Sequence, residues 1–563
     1  MINTDTPVLV VGAGPSGLTI ANELARHGVA VRIIDRAPAP ATTSRALVIQ
    51  PRCLEIFEDM GVVDEALAVG RAAPSLNVMF GEGRNVRLEL HDLLRDPSNY
   101  THYQNLYTLS QDDTERILTA KLAERGIQIE RGSAVIDLDA DERAVTVSVR
   151  RDNGATEPIR CDWLIGCDGA HSTVRRAAGI PFDGATYPDE FIMADAELDW
   201  ELPDGDLYAF PGPAGFVAAF AMPGTHRFRI FGNVIAGPDG PRPEYSEPTH
   251  EEFQAMLNQR LPLPAKVVKE HWVSRYRLHR RNVPRYRDGR IFLVGDAAHV
   301  HSPAGAQGMN TGIQDAYNLA WKLALVVRGI AHEPLLDSYH AERHPIGQRL
   351  LTTTDRFFTV ISGQNPTAKF LRGHLAPQIV ARVLARHSFR KWFVGTLAQL
   401  RTSYPHSPLN HEQGSAWKQA PAPGDRAREV DVVVDGAPQR LHTLLGGTRH
   451  TVLLFTGVDD QAQPAAELCR IANRIEQAYP DLVRAFVITA ERFADHPAAV
   501  GDPDHTAHNR YGIQHAAAFV IRPDLHIGFR STPINPHTLL ADLADRLPGA
   551  HPTTSSSTGD DHE

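Results

Sequence analysis

The sequence predicts a multidomain α/β protein. Three observations predict it. Apolar runs at Val8–Val11 and Val29–Ile34 bracket a glycine-rich turn and a helical pattern. From about Pro181 the apolar residues switch to period two, the signature of antiparallel strands. After a stretch rich in Gly, Ala and Pro at 412–425, alternating strands and helices return. At 563 residues the chain exceeds what one core supports, so about two to four domains are expected.

The opening unit is the most specific. The first apolar run enters Gly12-Ala13-Gly14-Pro15-Ser16-Gly17, a helical pattern follows to His27, and Gly28 ends it. The second run closes on Asp35. Gly12 permits the tight turn, Gly14 lets the backbone approach a pyrophosphate, and Gly17 lets helix pack on strand. The helix N-terminus, with Pro15 and Ser16 in its first turn, offers N–H groups and a positive dipole end to phosphates. Asp35 can accept hydrogen bonds from a ribose hydroxyl. In this context the glycines read as a dinucleotide site rather than a structural turn. Which dinucleotide they serve stays open at this point.

The remaining elements follow in order. Ala46–Met60 reads as one helix stopped by Gly61, and Gln111–Glu124 as another whose Asp112, Asp113 and Glu115 sit where the dipole favours acids. Ile127–Glu130, Ala134–Leu138 and Ala144–Val149 are short strands; the apolar Asp162–Gly166 ends in Cys167-Asp168-Gly169. Strands at Asp206–Phe210, Phe216–Met222 and Phe228–Asn233 make the period-two region. Arg290–Val294 is a buried strand, Met309–Val327 a long helix, and helices continue through Leu335–Arg349 to about Leu400. Beyond the linker come strands Thr451–Phe455, Ala485–Thr489, Ala517–Ile521 and Leu525–Phe529, with helices Pro464–Ala478 and Pro536–Arg546. The tail 551–563 lacks apolar residues and is expected to be disordered.

Composition narrows the class. A net charge of −10 argues against nucleic acid as a partner. No apolar run approaches a membrane span, and the N-terminus lacks a signal-peptide pattern. Cys53, Cys161, Cys167 and Cys469 are scattered without CxxC or metal spacing, as reduced thiols of a cytoplasmic protein would be. His299-Val300-His301 lacks a companion Cys, His or acid cluster, so no metal is expected.

Two later motifs join the glycine turn. One is Cys167-Asp168-Gly169-Ala170-His171-Ser172-Thr173-Val174-Arg175. The other is Gly295-Asp296-Ala297-Ala298-His299, running on to Pro303-Ala304-Gly305-Ala306-Gln307-Gly308-Met309-Asn310-Thr311-Gly312. Alone, Asp168-Gly169 is an ordinary turn and Gly295-Asp296 a strand end. Together and in this order, the three motifs resemble the aromatic-hydroxylase family of single-component FAD monooxygenases, of which para-hydroxybenzoate hydroxylase is the best-known member. Asp315–Leu323 and Tyr339–Arg343 are similar to further family stretches.

The resemblance implies a Rossmann-like FAD-binding domain over 1–181 and 286–350. It implies an inserted antiparallel-sheet substrate domain at 182–285 and a helical connection at 351–411. Carried over, Asp35 meets the adenosine ribose of FAD, Arg36 and Arg45 lie along the adenine and pyrophosphate, and Val135 touches adenine through its backbone. Gln111 and Asp296 bond the ribitol chain, and Asp168-Gly169 serves FAD and NAD(P)H. Gly305, Gly308, Met309 and Asn310 face the isoalloxazine, where helix N–H groups suit the negative charge of reduced flavin. Ala306 stands where the family often has a second glycine.

The implied chemistry is reduction of FAD by NADPH or NADH, reaction with molecular oxygen to a C4a-hydroperoxide, and attack by a phenolate. No acid or histidine in the sequence has a position that demands the role of base. Tyr208 and Phe210 share one face of a strand, as do Phe216, Phe220 and Met222; each alone suits plain core, and as a group they suggest an aromatic-lined pocket. The run Arg275, Arg277, Arg280, Arg281, Arg285 and Arg287 is either a solvated surface or a landing site for NADPH phosphates.

Residues 415–550 resemble the thioredoxin-like domain of larger family members, through Arg510-Tyr511-Gly512, the strand Ala517–Ile521 and Arg522-Pro523-Asp524-Leu525-His526. Members often carry glycine where Leu525 stands. Thr456-Gly457-Val458-Asp459 occupies the place of a redox CxxC, so a structural or homodimer-supporting role is expected. The expectation is a monooxygenase hydroxylating a phenolic or polycyclic aromatic. Its rivals are epoxidation or Baeyer–Villiger oxidation on the same scaffold, an FAD reductase, and a flavin-bound ligand-sequestering protein.

Overall fold

The computed structural model describes residues 6–41, 46–80, 85–96, 98–212, 215–234, 247–301, 306–362, 378, 382–384, 386–414, 417, 419–459, 462–490 and 496–550. Arg45, Gly305, part of the 351–411 connection and the 551–563 tail lie outside these residues. The chain divides into two compact units, Met1–Ala320 with Arg343–Arg401, and Trp321–Glu342 with Thr402–Glu563.

The first unit is built on β1 (Thr6–Val11), α1 (Pro15–Arg26) and β2 (Val31–Ile34), with β1 and β2 parallel. The strand Thr156–Gly166 pairs parallel to β1 on its other side, and Ile291–Leu293 pairs parallel to Thr156–Gly166. Val8, Leu9 and Val10 are fully buried, as near-continuous apolar strands of a parallel sheet should be. The sequence pattern placed one helix over Ala46–Met60. The structure instead has a short strand, Val48–Ile49, and a helix from Pro51. Proline fits the first helical turn but holds the residue before it extended, and Gln50 sits at φ −90°, ψ 154°.

A second sheet has eight strands, in the order 299–300, 266–282, 183–199, 227–234, 215–221, 207–212, 75–79, 85–89. The last two come from the N-terminal segment, outside 182–285. One face packs under the helix His250–Arg260, whose Phe253, Met256 and Leu257 meet Ile192, Tyr208, Phe210, Val217 and Phe228. Phe191, Met193, Phe231 and Tyr276 form a separate cluster, with Phe216 packed against it.

The second unit carries an eight-stranded sheet centred on His450–Phe455 between Val483–Thr489 and Ala517–Ile521. Ala465–Ala478 and Pro536–Arg546 contribute Leu468, Ala472, Leu539 and Leu543 to one core; Phe455, Tyr511 and Phe519 belong to another. Glu342 is fully buried there between Lys322 (2.7 Å) and Arg522 (2.6 Å). Cys469 is a buried free thiol, as are the other three cysteines. No helix among the described residues is long and apolar enough to cross a membrane.

Candidate active site

The site starts at the glycine turn. Gly12 adopts φ +104°, and a Cβ there would lie 2.4 Å from the Cys167 carbonyl oxygen. A Cβ on Gly17 would lie 1.9 Å from the Gly12 carbonyl. Both positions therefore require glycine for reasons internal to the chain. Gly14 differs: the nearest protein atom to its Cβ position is 4.0 Å away. It opens onto a cavity of about 500 Å³ lined by Gly12, Asp35, Arg36, Val135 and Asp168 among others. α1 starts at this wall with Pro15 in its first turn and no side-chain cap, so its first N–H groups face a ligand-sized space.

Asp35 is held in place by the turn. Its carboxylate accepts from the Ala13 N–H (2.6 Å) and the Ala37 N–H (2.7 Å), with Arg131 4.0 Å away. Gln111 donates to Glu115 (2.8 Å), and burial raises the Glu115 carboxyl above its ordinary range. Asp168 caps the helix Thr173–Ala177, accepting from the Thr173 N–H at 2.6 Å and the Val174 N–H at 3.2 Å. Arg175 then donates to the carbonyls of Ala170 and Ala297, both at 2.9 Å, joining the second motif to the third.

Ser16 brings the first motif to the third. A Cβ on Gly295 or Gly312 would meet the Ser16 hydroxyl oxygen at 2.6 or 2.4 Å, so both glycines allow the start of α1 to pack closely on this segment. Asp296 is exposed in the turn Gly295–Ala297, and Gly308 and Met309 open the helix Gly308–Val327. The Asn310 side chain is fully buried and turned elsewhere. It accepts from the Gln50 N–H (2.9 Å) and donates to the Val48 carbonyl (2.7 Å). Ala306, in the place of a frequent family glycine, has φ +52°.

The predicted pocket aromatics separate. Register pairs Tyr208 with Ala219 and Phe210 with Val217, while Phe220 pairs with Leu207 and Phe216 with Pro211. Tyr208 and Phe210 thus point into the helix-covered core, where Tyr208 donates to the Pro203 carbonyl (2.8 Å) and packs on Trp200. The expectation that they line one pocket with Phe216 and Phe220 is corrected: strand alternation puts the two sets on opposite faces. Met222 is buried. Phe216 and Phe220 are half-buried on the face that also carries Phe191, Phe231 and Tyr276. That face holds a pair the sequence reading missed: Arg229 to Asp195 at 2.6 and 2.8 Å, with Arg229 also donating to the Ala46 carbonyl (3.0 Å). The signal was available, since Arg229 stands between Phe228 and Ile230 in the run Phe228–Phe231.

The arginine run also separates. Arg275 is buried between Glu190 (2.9 Å) and Glu252 (3.0 Å), and Arg285 pairs with Asp288. Arg280 is exposed and Arg281 half-buried. Burial, with Arg176 and Arg281 nearby, lowers the pKa of Arg175, so these arginines concentrate positive charge beside Asp168-Gly169. Among the described residues no group of three or more His, Cys, Asp or Glu could hold a metal.

Comparison with known proteins places this geometry. Residues 5–354 match the family model described as FAD binding domain. The chain is 36% identical over 556 residues to the 6-methylpretetramide 4-monooxygenase of Streptomyces rimosus, covering 96% of this chain and 95% of that one. It is 36% identical over 483 residues to the pentachlorophenol 4-monooxygenase of Sphingobium chlorophenolicum, covering 85% and 84%. Among solved structures, the OxyS anhydrotetracycline hydroxylase of Streptomyces rimosus superposes with a TM-score of 0.74 at 29% identity, covering 97% of this chain and 99% of that chain.

Proposed function

The chain belongs to the family of FAD-dependent aromatic monooxygenases, and from that premise we propose that it spends NADPH and molecular oxygen to hydroxylate a phenolic, ring-fused aromatic. The observation that carries this is the meeting of two separated motifs at one cavity, which Gly14, Asp35 and Asp168 line, with the third motif packed onto the first where Ser16 meets Gly295 and Gly312. Residues that leave room for a diphosphate and supply helix N–H groups fit FAD. Bound there, FAD would supply hydride acceptance from the nicotinamide and activation of oxygen.

The chain's own residues bind, orient and exclude water. The α1 N-terminus and Gly14 take the pyrophosphate, Asp35 the ribose, with Arg36 alongside and the Val135 backbone at the adenine. Gln111 and Asp296 serve the ribitol chain, and the backbone at Gly308–Asn310 faces the ring system. Phe216 and Phe220, half-buried on the sheet face away from the helix-covered core, offer the substrate an apolar aromatic surface. Bulk in the substrate is supported by the 6-methylpretetramide and anhydrotetracycline enzymes among the relatives. Arg280 and Arg281 receive the phosphates of NADPH. Replacing both by Ala raises KM for NADPH without weakening FAD binding; an unchanged KM removes them from that role.

The second unit is read as a thioredoxin-like domain without thiol chemistry, serving structure and a homodimer. Four buried free cysteines support a reducing, cytoplasmic setting. The test is a panel of phenols given to the FAD-loaded protein with NADPH under oxygen. Substrate-stimulated NADPH oxidation with a product heavier by one oxygen supports hydroxylation. Oxidation without incorporation indicates a reductase, and no oxidation a ligand-binding protein.

A further inference from the structure

Asp315 lies on the helix Gly308–Val327 and is completely buried. Its carboxylate takes three partners. His299 Nε2 is 2.7 Å from one oxygen, and the Gly295 N–H donates to that oxygen at 3.3 Å. Arg343 donates to the other oxygen at 2.6 Å and to the Thr311 carbonyl at 3.2 Å. His299 and Arg343 are each 1% exposed. Burial alone would raise the Asp315 carboxyl, yet Arg343 and His299 hold it below its ordinary value, so it is ionised.

The backbone partners are what distinguish this cluster. Gly295 and Thr311 stand at the two ends of the segment that runs from Gly295-Asp296 to the start of the long helix. His299 stands on the segment itself. The Tyr286, His299 and His301 rings stack in series, at 5.8 and 6.5 Å between centroids. Gly308 rests on the end of that stack, since a Cβ there would lie 3.5 Å from the His301 ring. The helix Asp337–Ser362 serves both features, giving Arg343 to Asp315 and, one turn on, Gly347, where a Cβ would lie 2.3 Å from the Tyr286 hydroxyl. A buried ion pair is weak evidence of stabilisation, because desolvating both charges offsets their attraction. Here the pair fixes the separation and tilt of the two backbone ends that close on Ser16.

We propose that His299, Asp315 and Arg343 form a positioning triad that sets the geometry of the backbone at Gly295–His301 and Gly308–Gly312 against the flavin. The proposal rests on the FAD site described above. The triad touches neither substrate nor cofactor; it acts through the backbone of Gly295, Gly308 and Thr311.

The test uses the full-length protein, stripped of FAD and titrated with it, with visible circular dichroism of the bound flavin and its midpoint potential as readouts. His299→Leu removes the Asp315 partner without leaving a buried charge unpaired, and His299→Gln can restore a donor. Asp315→Asn is the harsher variant. His299→Leu is expected to weaken FAD binding by about tenfold, equivalent to about 1.4 kcal/mol. It also alters the flavin dichroism and, through the lost hydrogen bond to Asp315, lowers the unfolding temperature of the stripped protein, and His299→Gln recovers most of the affinity. Wild-type affinity, dichroism and potential in His299→Leu overturn the proposal. So does a variant that unfolds earlier yet binds FAD normally, because the triad is then only structural. Failure of the wild-type protein to bind FAD overturns the site assignment itself, and the two failures are distinguishable.

Discussion

Glycines of the first motif do different jobs. Gly12 is required by its own chain, through a positive φ and a 2.4 Å approach to the Cys167 carbonyl. Gly14 has φ −77° and 4.0 Å of clearance, so its lack of a side chain leaves room in the cavity rather than meeting a need of its own chain. Gly14→Ala is therefore expected to keep wild-type stability within about 0.5 kcal/mol and to lose FAD affinity, whereas Gly12→Ala destabilises the apoprotein itself. Thermal unfolding of both apoproteins with an FAD titration checks the contrast. The glycine turn itself was legible in the sequence because such a turn after an apolar strand has few other uses. The same sequence flagged Ala306 and Leu525 as departures from glycine, and both adopt positive φ, +52° and +62°. What stayed hidden was pairing. Asp315, His299 and Arg343 were visible as motif residues, but partners 16 and 28 positions apart meet only once two helices and a turn have packed.

At the level of elements, period-two alternation located the central strands of the second sheet but not which face looks where. Two adjacent strands can each show one aromatic face and still present those faces in opposite directions, because hairpin register decides the match. Tyr208 and Phe210 pack under the 250–260 helix; Phe216 and Phe220 do not. Phe210→Ala is expected to cost about 3–5 kcal/mol in chemical denaturation and to leave the ranking of substrates unchanged. Phe216→Ala, at a half-buried position, costs less stability and changes KM for the aromatic substrate; the reverse pattern would reinstate Phe210 in the pocket. Strands 75–79 and 85–89 escaped sequence reading because each is only five residues long, although Asn85-Val86-Arg87-Leu88-Glu89 alternates polar and apolar. The boundary at Pro51 was legible in principle, since proline both starts a helix and extends the residue before it.

For the whole molecule, the second unit carries a buried histidine that makes its stability depend on pH. His450, buried against Trp321 in the second unit, is pushed down to about 3 by burial and by Arg546 and Arg522. The folded unit therefore keeps His450 neutral, while the unfolded chain binds a proton below the ordinary 6.5. Stability from this group is complete above that value and is lost as pH falls toward about 3, by at most about 1.4 kcal/mol per pH unit. Denaturation midpoints across that window should fall with acid, and His450→Phe should flatten the slope. The FAD-binding family of the first 350 residues was legible because three motifs point to it. The second unit was less so, its resemblance resting on Arg510-Tyr511-Gly512, the strand Ala517–Ile521 and the turn Arg522–His526. The claim that joins all scales is oxygen insertion at the FAD site. The direct test is turnover of the FAD-loaded protein with NADPH, a phenolic substrate and heavy-isotope oxygen gas. The account predicts one heavy oxygen atom on the aromatic product and NADPH oxidation that accelerates with substrate. NADPH consumed with all the heavy oxygen recovered as peroxide or water would contradict it.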